Sequence, residues 1–167
     1  MVYRFRIISN EAEGFVREFE LQGNQTFYDF HLAIQKNLEY DNSQIASFQI
    51  TDQSWIMIKE LTLFDLDEDN PNIAPMDVAT IDEFVKDPKQ RMLYMFDMFN
   101  DRALFIELVG KFKETESKKF PACILEKGEP PIQIKLDGGS GSSIFDDAMS
   151  DFDSINSYED TDSTNDK

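Results

Sequence analysis

The sequence predicts an α+β fold in which a mostly antiparallel sheet carries one main helix on one face, with a β-grasp-like arrangement as the most specific expectation. Three observations support this. Several segments alternate apolar with charged residues, which is the period-two pattern of half-buried strands. One long segment instead spaces its apolar residues three and four apart, as an amphipathic helix does. Short polar connections join the strand segments, and these allow hairpins and hence antiparallel pairing.

The first two strand segments lie at the amino terminus. In VYRFRII the apolar residues alternate with Arg4 and Arg6, so one face of the strand is apolar and the other charged. After the short connection Asn-Glu-Ala-Glu, the segment GFVREFELQ (residues 14–22) alternates again. We expect the two segments to pair as a hairpin.

The main helix is predicted over residues 26–38, TFYDFHLAIQKNL. Thr26 is a favourable N-cap residue, and an acid follows it three positions later, as in a capping box. The apolar positions fall on one side of the helix and are Phe27, Phe30, Ile34 and Leu38.

The middle of the chain continues with two strand segments and a short helix. IASFQIT and WIMIKELTLF are rich in β-branched and aromatic residues, and the turn-forming residues 52–54 separate them. After an acidic loop, TIDEFV repeats the capping pattern with Thr80 and Glu83, and Pro88 ends the helix that this pattern predicts.

A polar island then interrupts the apolar run YMFDMFNDRALFIEL, residues 94–108. We predict a hairpin here, because Asn100 and Asp101 are favoured turn residues. In that hairpin Tyr94, Phe96 and Met98 share one strand face, and Leu104, Ile106 and Leu108 alternate along the second strand. Asp97 is the residue that the hairpin leaves unexplained, and we favour a role in which its carboxylate accepts backbone hydrogen bonds.

Composition excludes several classes of function. The chain has 33 acids against 16 bases, a net charge of −17, which repels nucleic-acid phosphates and anionic lipids. No stretch approaches the roughly 18 apolar residues of a membrane span, so we expect a cytoplasmic protein that binds neither membranes nor nucleic acid. The lone Cys123 fits a reducing compartment. The 15 phenylalanines indicate a real hydrophobic core.

The chain divides into a body and a tail. We assign residues 1–136 to the α+β domain, the Gly/Ser-rich stretch DGGSGSS (137–143) to a flexible linker, and residues 144–167 to an acidic disordered tail. The tail carries an apolar stripe at spacings of four, three and three: Phe145, Met149, Phe152 and Ile155. Three roles stay open for it: a solubilising tail, a segment that folds on a partner, or a segment that docks onto bases of its own body such as Arg4 and Arg6.

Few residues are candidates for chemistry. His31 is the only histidine and lies on the apolar side of its helix, so we expect a buried imidazole bonded to one acceptor rather than a catalytic base. Pairing with Cys123 as a thiol nucleophile is conceivable, although nothing in the sequence near Cys123 would lower its pKa. Structural zinc is excluded because it needs about four Cys or His ligands.

The acidic loop DLDEDNPNIAPMD invites comparison with a helix-loop-helix calcium site. Asp65, Asp67 and Asp69 occupy its first, third and fifth positions. The match then fails, because Asn70 stands where glycine is needed and Met76 where a bidentate glutamate is needed. We expect a solvated acidic turn, and we predict no metal or cofactor.

Three segments together resemble the plasmid pRiA4b ORF-3-like family, whose members include passenger proteins of mobile insertion elements. They are TFYDFHLAIQKNLEYDNSQIASFQI, LYMFDMFNDRALFIEL and FPACILEKGEPPIQ, in the family's order and at about its spacing. The positions that match its motifs are His31, Ile34, Gln35, Tyr94, Phe96, Asp97, Asp101, Pro121, Cys123, Pro130 and Pro131. The positions that depart are Tyr40, Met98, Phe99, Asn100 and Arg102, together with Gln44 and Leu104, where the family has histidine.

The resemblance implies a shared fold more than shared chemistry, since an activity that required both histidines could not survive Gln44 and Leu104. We therefore hypothesise a non-catalytic module that binds a protein of unknown identity through a sheet surface, with the tail as an accessory contact. The alternative is a carboxylate-based metal- or ligand-binding protein, or an enzyme, that uses Asp97 and Asp101. The oligomeric state is not predicted.

Overall fold

The structure is a computed structural model that describes residues 1–115 and 117–135. Every described helix and strand lies within Met1–Gln133, which forms one unit by its internal contacts. The predicted linker at 137–143 and the acidic tail at 144–167 lie outside the described residues. So does the apolar stripe of the tail, at residues 145, 149, 152 and 155.

Eight strands and two helices make up the described fold. The strands are β1 (Val2–Ile8), β2 (Val16–Gln22), β3 (Ser47–Thr51), β4 (Met57–Thr62), β5 (Ile73–Pro75), β6 (Arg91–Asp97), β7 (Arg102–Phe112) and β8 (Ala122–Lys127). The helices are α1 (Phe27–Leu38) and α2 (Ile81–Phe84). Within the described residues the strands form one sheet in the order β5-β4-β3-β6-β7-β1-β2-β8, and each neighbouring pair is antiparallel except the edge pair β4 and β5.

The predicted antiparallel sheet with one main helix is confirmed, but the fold is mostly β rather than α+β. Two strands were missed. β5 has only three residues, too few for a visible alternation, and the sequence of β8, ACILEK, is an apolar run followed by two charges and does not alternate. The β-grasp-like arrangement is wrong as well, because β1 lies inside the sheet antiparallel to both of its neighbours, where a β-grasp has a central parallel pair.

Helix α1 forms where the sequence predicts it, and its capping box is complete. The backbone N–H of Asp29 donates to the Thr26 hydroxyl at 3.1 Å, and the backbone N–H of Thr26 donates to the Asp29 carboxylate at 2.9 Å. Two of the four orphan amides at the helix start are thereby satisfied. The helix ends at Leu38, and the C-cap residue Glu39 adopts a left-handed φ of 55°.

The buried side of α1 packs onto one sheet face through aromatic rings. Phe30 is fully buried, and its ring centroid lies 5.2 Å from that of Phe5, 5.8 Å from that of Phe19 and 5.4 Å from that of Phe48. Burying one such ring contributes about 1.5–3 kcal/mol, so this aromatic layer is a major source of stability. We call this side of the sheet the helix face.

The short helix α2 covers the same face, since the Phe84 ring packs edge-on against Phe27 at 6.2 Å. Its predicted capping box is wrong. The Thr80 hydroxyl makes no cap bond and instead donates to the Asp82 carboxylate at 2.9 Å. A helix of one turn gains little from a cap, and tertiary packing holds α2 in place. Among the described residues no helix is long and apolar enough to cross a membrane.

The opposite side of the sheet, which we call the open face, carries no described helix. An apolar row crosses it where Ile8, Phe105 and Leu93 pair across β1, β7 and β6. Beside that row runs a charged one, in which Arg6 and Arg91 both pair with Glu107. Alternation along each strand places these residues opposite the buried core positions.

The predicted hairpin across residues 94–108 is confirmed as β6 and β7, with one correction. β6 ends at Asp97, so Met98 lies in the turn, where it is exposed, and does not continue the strand face of Tyr94 and Phe96. We call residues 98–101 the hairpin tip. Asp101 adopts a left-handed φ of 53°, a conformation that Asp and Asn tolerate better than other residues with a Cβ.

Candidate functional site

The family-motif residues of α1 meet those of β6 in a buried polar triad. Tyr94 is fully buried, and its hydroxyl lies 2.8 Å from Nδ1 of His31. The side-chain amide of Gln35 donates to the same hydroxyl at 2.6 Å. His31 and Gln35 are one helical turn apart, so both project towards the sheet from the same side of α1. The predicted burial of His31 is confirmed, whereas the predicted acceptor is not, because the Tyr94 hydroxyl donates to the imidazole.

Burial keeps the triad neutral. It lowers the pKa of His31 to about 4 and raises the pKa of Tyr94 well above its usual range. The Tyr94 hydroxyl has two partners, and Gln35 is a donor to it. The hydroxyl proton is therefore donated to the other partner, Nδ1 of His31. His31 therefore carries its own proton on Nε2. A neutral imidazole committed to a phenol inside the core is a packing group, and it lacks the accessible substrate proton that a general base needs.

A second cluster forms around Arg102, at the start of β7. Glu11 accepts from Nε at 2.8 Å and from Nη2 at 2.7 Å, a bidentate pair. Nη1 donates to Asp97 at 3.2 Å and to the Gln133 carbonyl at 3.1 Å, while Nη2 also donates to the Ile132 carbonyl at 2.6 Å. All five guanidinium N–H groups thus have acceptors. The guanidinium carbon also lies 4.7 Å from the centroid of the Phe96 ring.

Asp97 holds the hairpin tip. Its carboxylate accepts the backbone N–H of Asn100 at 3.3 Å, the Asn100 side-chain amide at 2.9 Å, and the Arg102 guanidinium. The bonds from Asn100, and then that from Arg102, hold the pKa of Asp97 below its usual range. This is the turn-fixing role that the sequence favoured for Asp97.

Asp101 does not join this network. Its carboxylate makes no hydrogen bond or ion pair with any other residue in the described part of the chain, and it lies exposed at the tip. The two aspartates are therefore not a matched pair, because Asp97 is committed to Asn100 and Arg102 whereas Asp101 is available.

The chain segment after β8 is fastened across the same region. The Tyr40 hydroxyl donates to the Pro131 carbonyl at 2.6 Å, and the Tyr40 ring packs against Phe96 at 5.5 Å. Gln133 exchanges two hydrogen bonds with the backbone of Asp41, at 2.6 and 2.9 Å. Residues from all three family motifs thus lie together here, and their contacts mainly hold the segment after β8 against the residues that follow α1 and against β6.

Cys123 lies on β8, four strand positions away from the β6 strand that holds the partner of His31. The structure does not bring the two side chains together. Burial, and then Glu126, raise the pKa of the Cys123 thiol, so it stays protonated and weakly nucleophilic at neutral pH. The positions where the resemblance implies histidine hold Gln44, in an exposed loop, and Leu104, buried directly across from Tyr94.

No group of three or more His, Cys, Asp or Glu side chains is arranged for a metal ion within residues 1–115 and 117–135. The residues that sequence reasoning missed are Glu11 and Arg102. Arg102 stands out in the sequence only as a departure from the family motif, and Glu11 lies 91 positions away from it, in a connection without periodicity. The sequence signal for this cluster was Arg102 itself, a charged residue beside the turn of an otherwise apolar hairpin.

The first prediction concerns Arg102. In Arg102→Lys the charge stays but the five-donor fork is lost, and buried acceptors are left without partners. We expect the free energy of unfolding to fall by about 2 kcal/mol in urea denaturation at pH 7. Arg91→Lys is the matched control, because Arg91 is half-exposed in its pair with Glu107 and should change stability by about 0.5 kcal/mol or less. Equal losses in the two variants would contradict the cluster's structural role.

The second prediction concerns pH. The unfolded chain binds a proton at His31 near pH 6.5, whereas the folded chain does so only near pH 4, so stability is lost as pH falls through that window. From pH 7 to pH 5 this contribution is about 2 kcal/mol, at about 1.4 kcal/mol per tenfold change in proton affinity. We expect wild type to lose that much more stability than His31→Gln, which keeps an acceptor for Tyr94. Parallel stability curves for the two proteins would refute the assignment.

The chain is similar to known proteins in sequence and in fold. The chain matches the family described as "Plasmid pRiA4b ORF-3-like protein" over residues 2–160. None of the curated proteins matches it. Among solved structures, it is similar to a Methanosarcina mazei Go1 protein of unknown function, MM3350, with a TM-score of 0.64 and 15% identity, covering 97% of this chain and 83% of the other. That similarity shows a shared fold. The family match extends over nearly the whole chain, which therefore belongs to the plasmid pRiA4b ORF-3-like family.

Proposed function

We propose that this chain is a non-catalytic protein-interaction module whose binding surface is the open face together with the hairpin tip. The observation that carries the proposal is Phe99, which is 98% exposed at that tip. An aromatic ring so fully presented to solvent offers its whole apolar surface to a partner, and phenylalanine is among the residue types enriched at interfaces. Ile8, at the near end of the apolar row on the open face, is 45% exposed.

The rest of the open face supports a protein partner. The Trp55 ring packs edge-on against Phe105 at 5.1 Å, and the Arg91 guanidinium lies over that Trp55 ring at 4.9 Å. Aromatic and arginine side chains that are already held in place lose little conformational entropy on binding, and these residue types are enriched at the energetic centres of interfaces. The bordering row of paired charges would form the polar rim.

A binding role is also supported by the structural roles of the side chains that could otherwise take part in catalysis. His31 is committed to Tyr94, Asp97 to Asn100 and Arg102, and the Cys123 thiol is held protonated. Each of these groups serves packing or a turn. The candidate enzyme based on Asp97 and Asp101 would first have to release Asp97 from bonds that fix the hairpin, so only its ligand-binding form, through Asp101, receives support.

The acidic tail is proposed as an accessory contact. Residues 137–167 carry nine acids and one base, within a chain of net charge −17. Such a segment would steer a basic partner towards the open face and raise the association rate, an effect that salt screens. Its apolar stripe would add contacts once the partner is bound.

The third prediction tests the surface with full-length variants and a partner captured by affinity pulldown and identified by mass spectrometry. Phe99→Ser removes an anchor that is not part of the core, so we expect the dissociation constant to rise about tenfold with an unchanged melting temperature. Leu32→Ser is the matched control, since Leu32 is an exposed apolar residue on α1, on the other side of the sheet. If Leu32→Ser weakened binding while Phe99→Ser did not, the proposed surface would be wrong.

The same assay measures the share of the tail. A full-length variant in which Phe145, Met149, Phe152 and Ile155 are all serine should bind more weakly if the stripe contacts the partner. Equal affinity with and without the stripe would remove the tail from the proposal and leave the open face as the only surface.

A further inference from the structure

A cleft opens where the hairpin tip meets the open face. Its volume is about 300 Å³. Its apolar lining comes from β6 and β7 and consists of Leu93, Met95, Ala103 and Phe105. Its polar lining comes from the connection after β1, the tip and β3, and includes Asn10, Glu11, Gln49, Asn100 and Asp101. The cleft therefore offers an apolar floor with a polar end.

The ligand that the polar end could bind depends on which of its side chains already have hydrogen-bond partners within the protein. Arg102 lines the cleft, but its five N–H groups all have acceptors within the protein. An anionic ligand would have to break those bonds to reach the guanidinium. Both Glu11 oxygens accept from Arg102 as well. The cleft thus has no spare cationic donor at Arg102 with which to hold a phosphate or a carboxylate.

Outside the Arg102–Glu11 pair, the charge of the lining comes from Asp101, because its other polar side chains are neutral amides. The Asp101 carboxylate makes no bond to the described residues, and the Asn100 amide nitrogen donates to Asp97, so the Asn100 side-chain oxygen is not used in that bond. A carboxylate and an amide oxygen beside an apolar floor fit a ligand with a cationic, donor-rich head and an aliphatic stem. Arginine and lysine side chains have this shape, and arginine can also stack on an aromatic ring such as that of Phe105.

We propose that the cleft binds a basic side chain, arginine in the first instance, presented by the partner protein. The inference rests on the proposed function and deepens it, because it names the chemistry that the partner brings to one point of the open face. The aliphatic stem lies along Leu93 and Phe105, and the guanidinium donates to Asp101 and to the Asn100 side chain. The charge of the whole chain, −17, favours the same ligand at long range.

The test uses N-acetyl-arginine amide as the probe in an NMR titration of the full-length ¹⁵N-labelled protein. N-acetyl-citrulline amide is the matched neutral probe of nearly the same shape. We expect saturable shifts with the arginine probe at the backbone amides of Leu93, Asp101, Ala103 and Phe105, and much smaller shifts with the citrulline probe. Asp101→Asn should lower the affinity for the arginine probe about two- to fivefold, which is the range expected for loss of an exposed ion pair.

Asp101→Asn is a clean variant because asparagine also tolerates the left-handed conformation of this position. Asp65→Asn, in the exposed loop between β4 and β5, makes the same charge change elsewhere and should leave the affinity of the probe unchanged. Equal shifts from arginine and citrulline, shifts spread over the acidic loop at residues 65–69, or equal weakening by the two variants would each overturn the cleft assignment.

This outcome is separable from that of the proposed function. If Phe99→Ser loses the captured partner while the arginine probe does not select the cleft, the interaction surface stands and the cleft inference fails. If the probe selects the cleft but neither Phe99→Ser nor Asp101→Asn affects the captured partner, the cleft is a cation site and the proposed surface fails.

Discussion

The hydroxyl group of Tyr94 sets the constraint on which the rest of the structure depends. A fully buried phenol must find hydrogen-bond partners inside the protein, because water cannot reach it and an unmade bond costs about 1–3 kcal/mol. His31 and Gln35 supply those partners from successive turns of α1. The rotation of α1 on the sheet is thereby fixed, and the aromatic layer of Phe5, Phe30 and Phe48 packs in one register. One face of the sheet is closed by this arrangement, and the described helices leave the other face open.

A second buried group, the Arg102 guanidinium, organises the end of that open face. Its bonds to Glu11, Asp97 and two carbonyls join the connection after β1, the hairpin and the segment after β8. Because every donor is used, Arg102 stabilises the walls of the cleft without offering a site to anions. Asp101 is left free by the same geometry. The same hydrogen bonds therefore hold Arg102 and Asp97 in structural roles and leave the Asp101 carboxylate available at the surface.

Local patterns predicted much of the fold. The alternation in β1 and the three-four spacing in α1 arise because each element buries one side in the core. Both elements are present in the structure as predicted. The edge strands β5 and β8 could not be predicted in this way, since three residues show no period in β5 and the sequence of β8, ACILEK, is an apolar run followed by two charges without alternation. Thr80 shows the limit of a cap motif, because its hydroxyl bonds to a side chain when the helix is only one turn long.

The site was predictable only in part, for a related reason. The burial of His31 followed from its place four residues after Phe27, which is local information. The pairing of Glu11 with Arg102 spans 91 positions and depends on the sheet order that brings β1 beside β7, so no local pattern contains it. Likewise, Asp97 and Asp101 look equivalent in the sequence, and only the turn geometry separates a committed carboxylate from an available one.

A long-range ¹H–¹⁵N NMR titration of the His31 imidazole tests most directly whether this side chain is a neutral packing group bonded to Tyr94. We predict the tautomer with its proton on Nε2 at neutral pH, an unprotonated Nδ1, and protonation only as the pH approaches about 4. A titration near the ordinary value of about 6.5, or an imidazole that carries its proton on Nδ1, would contradict it.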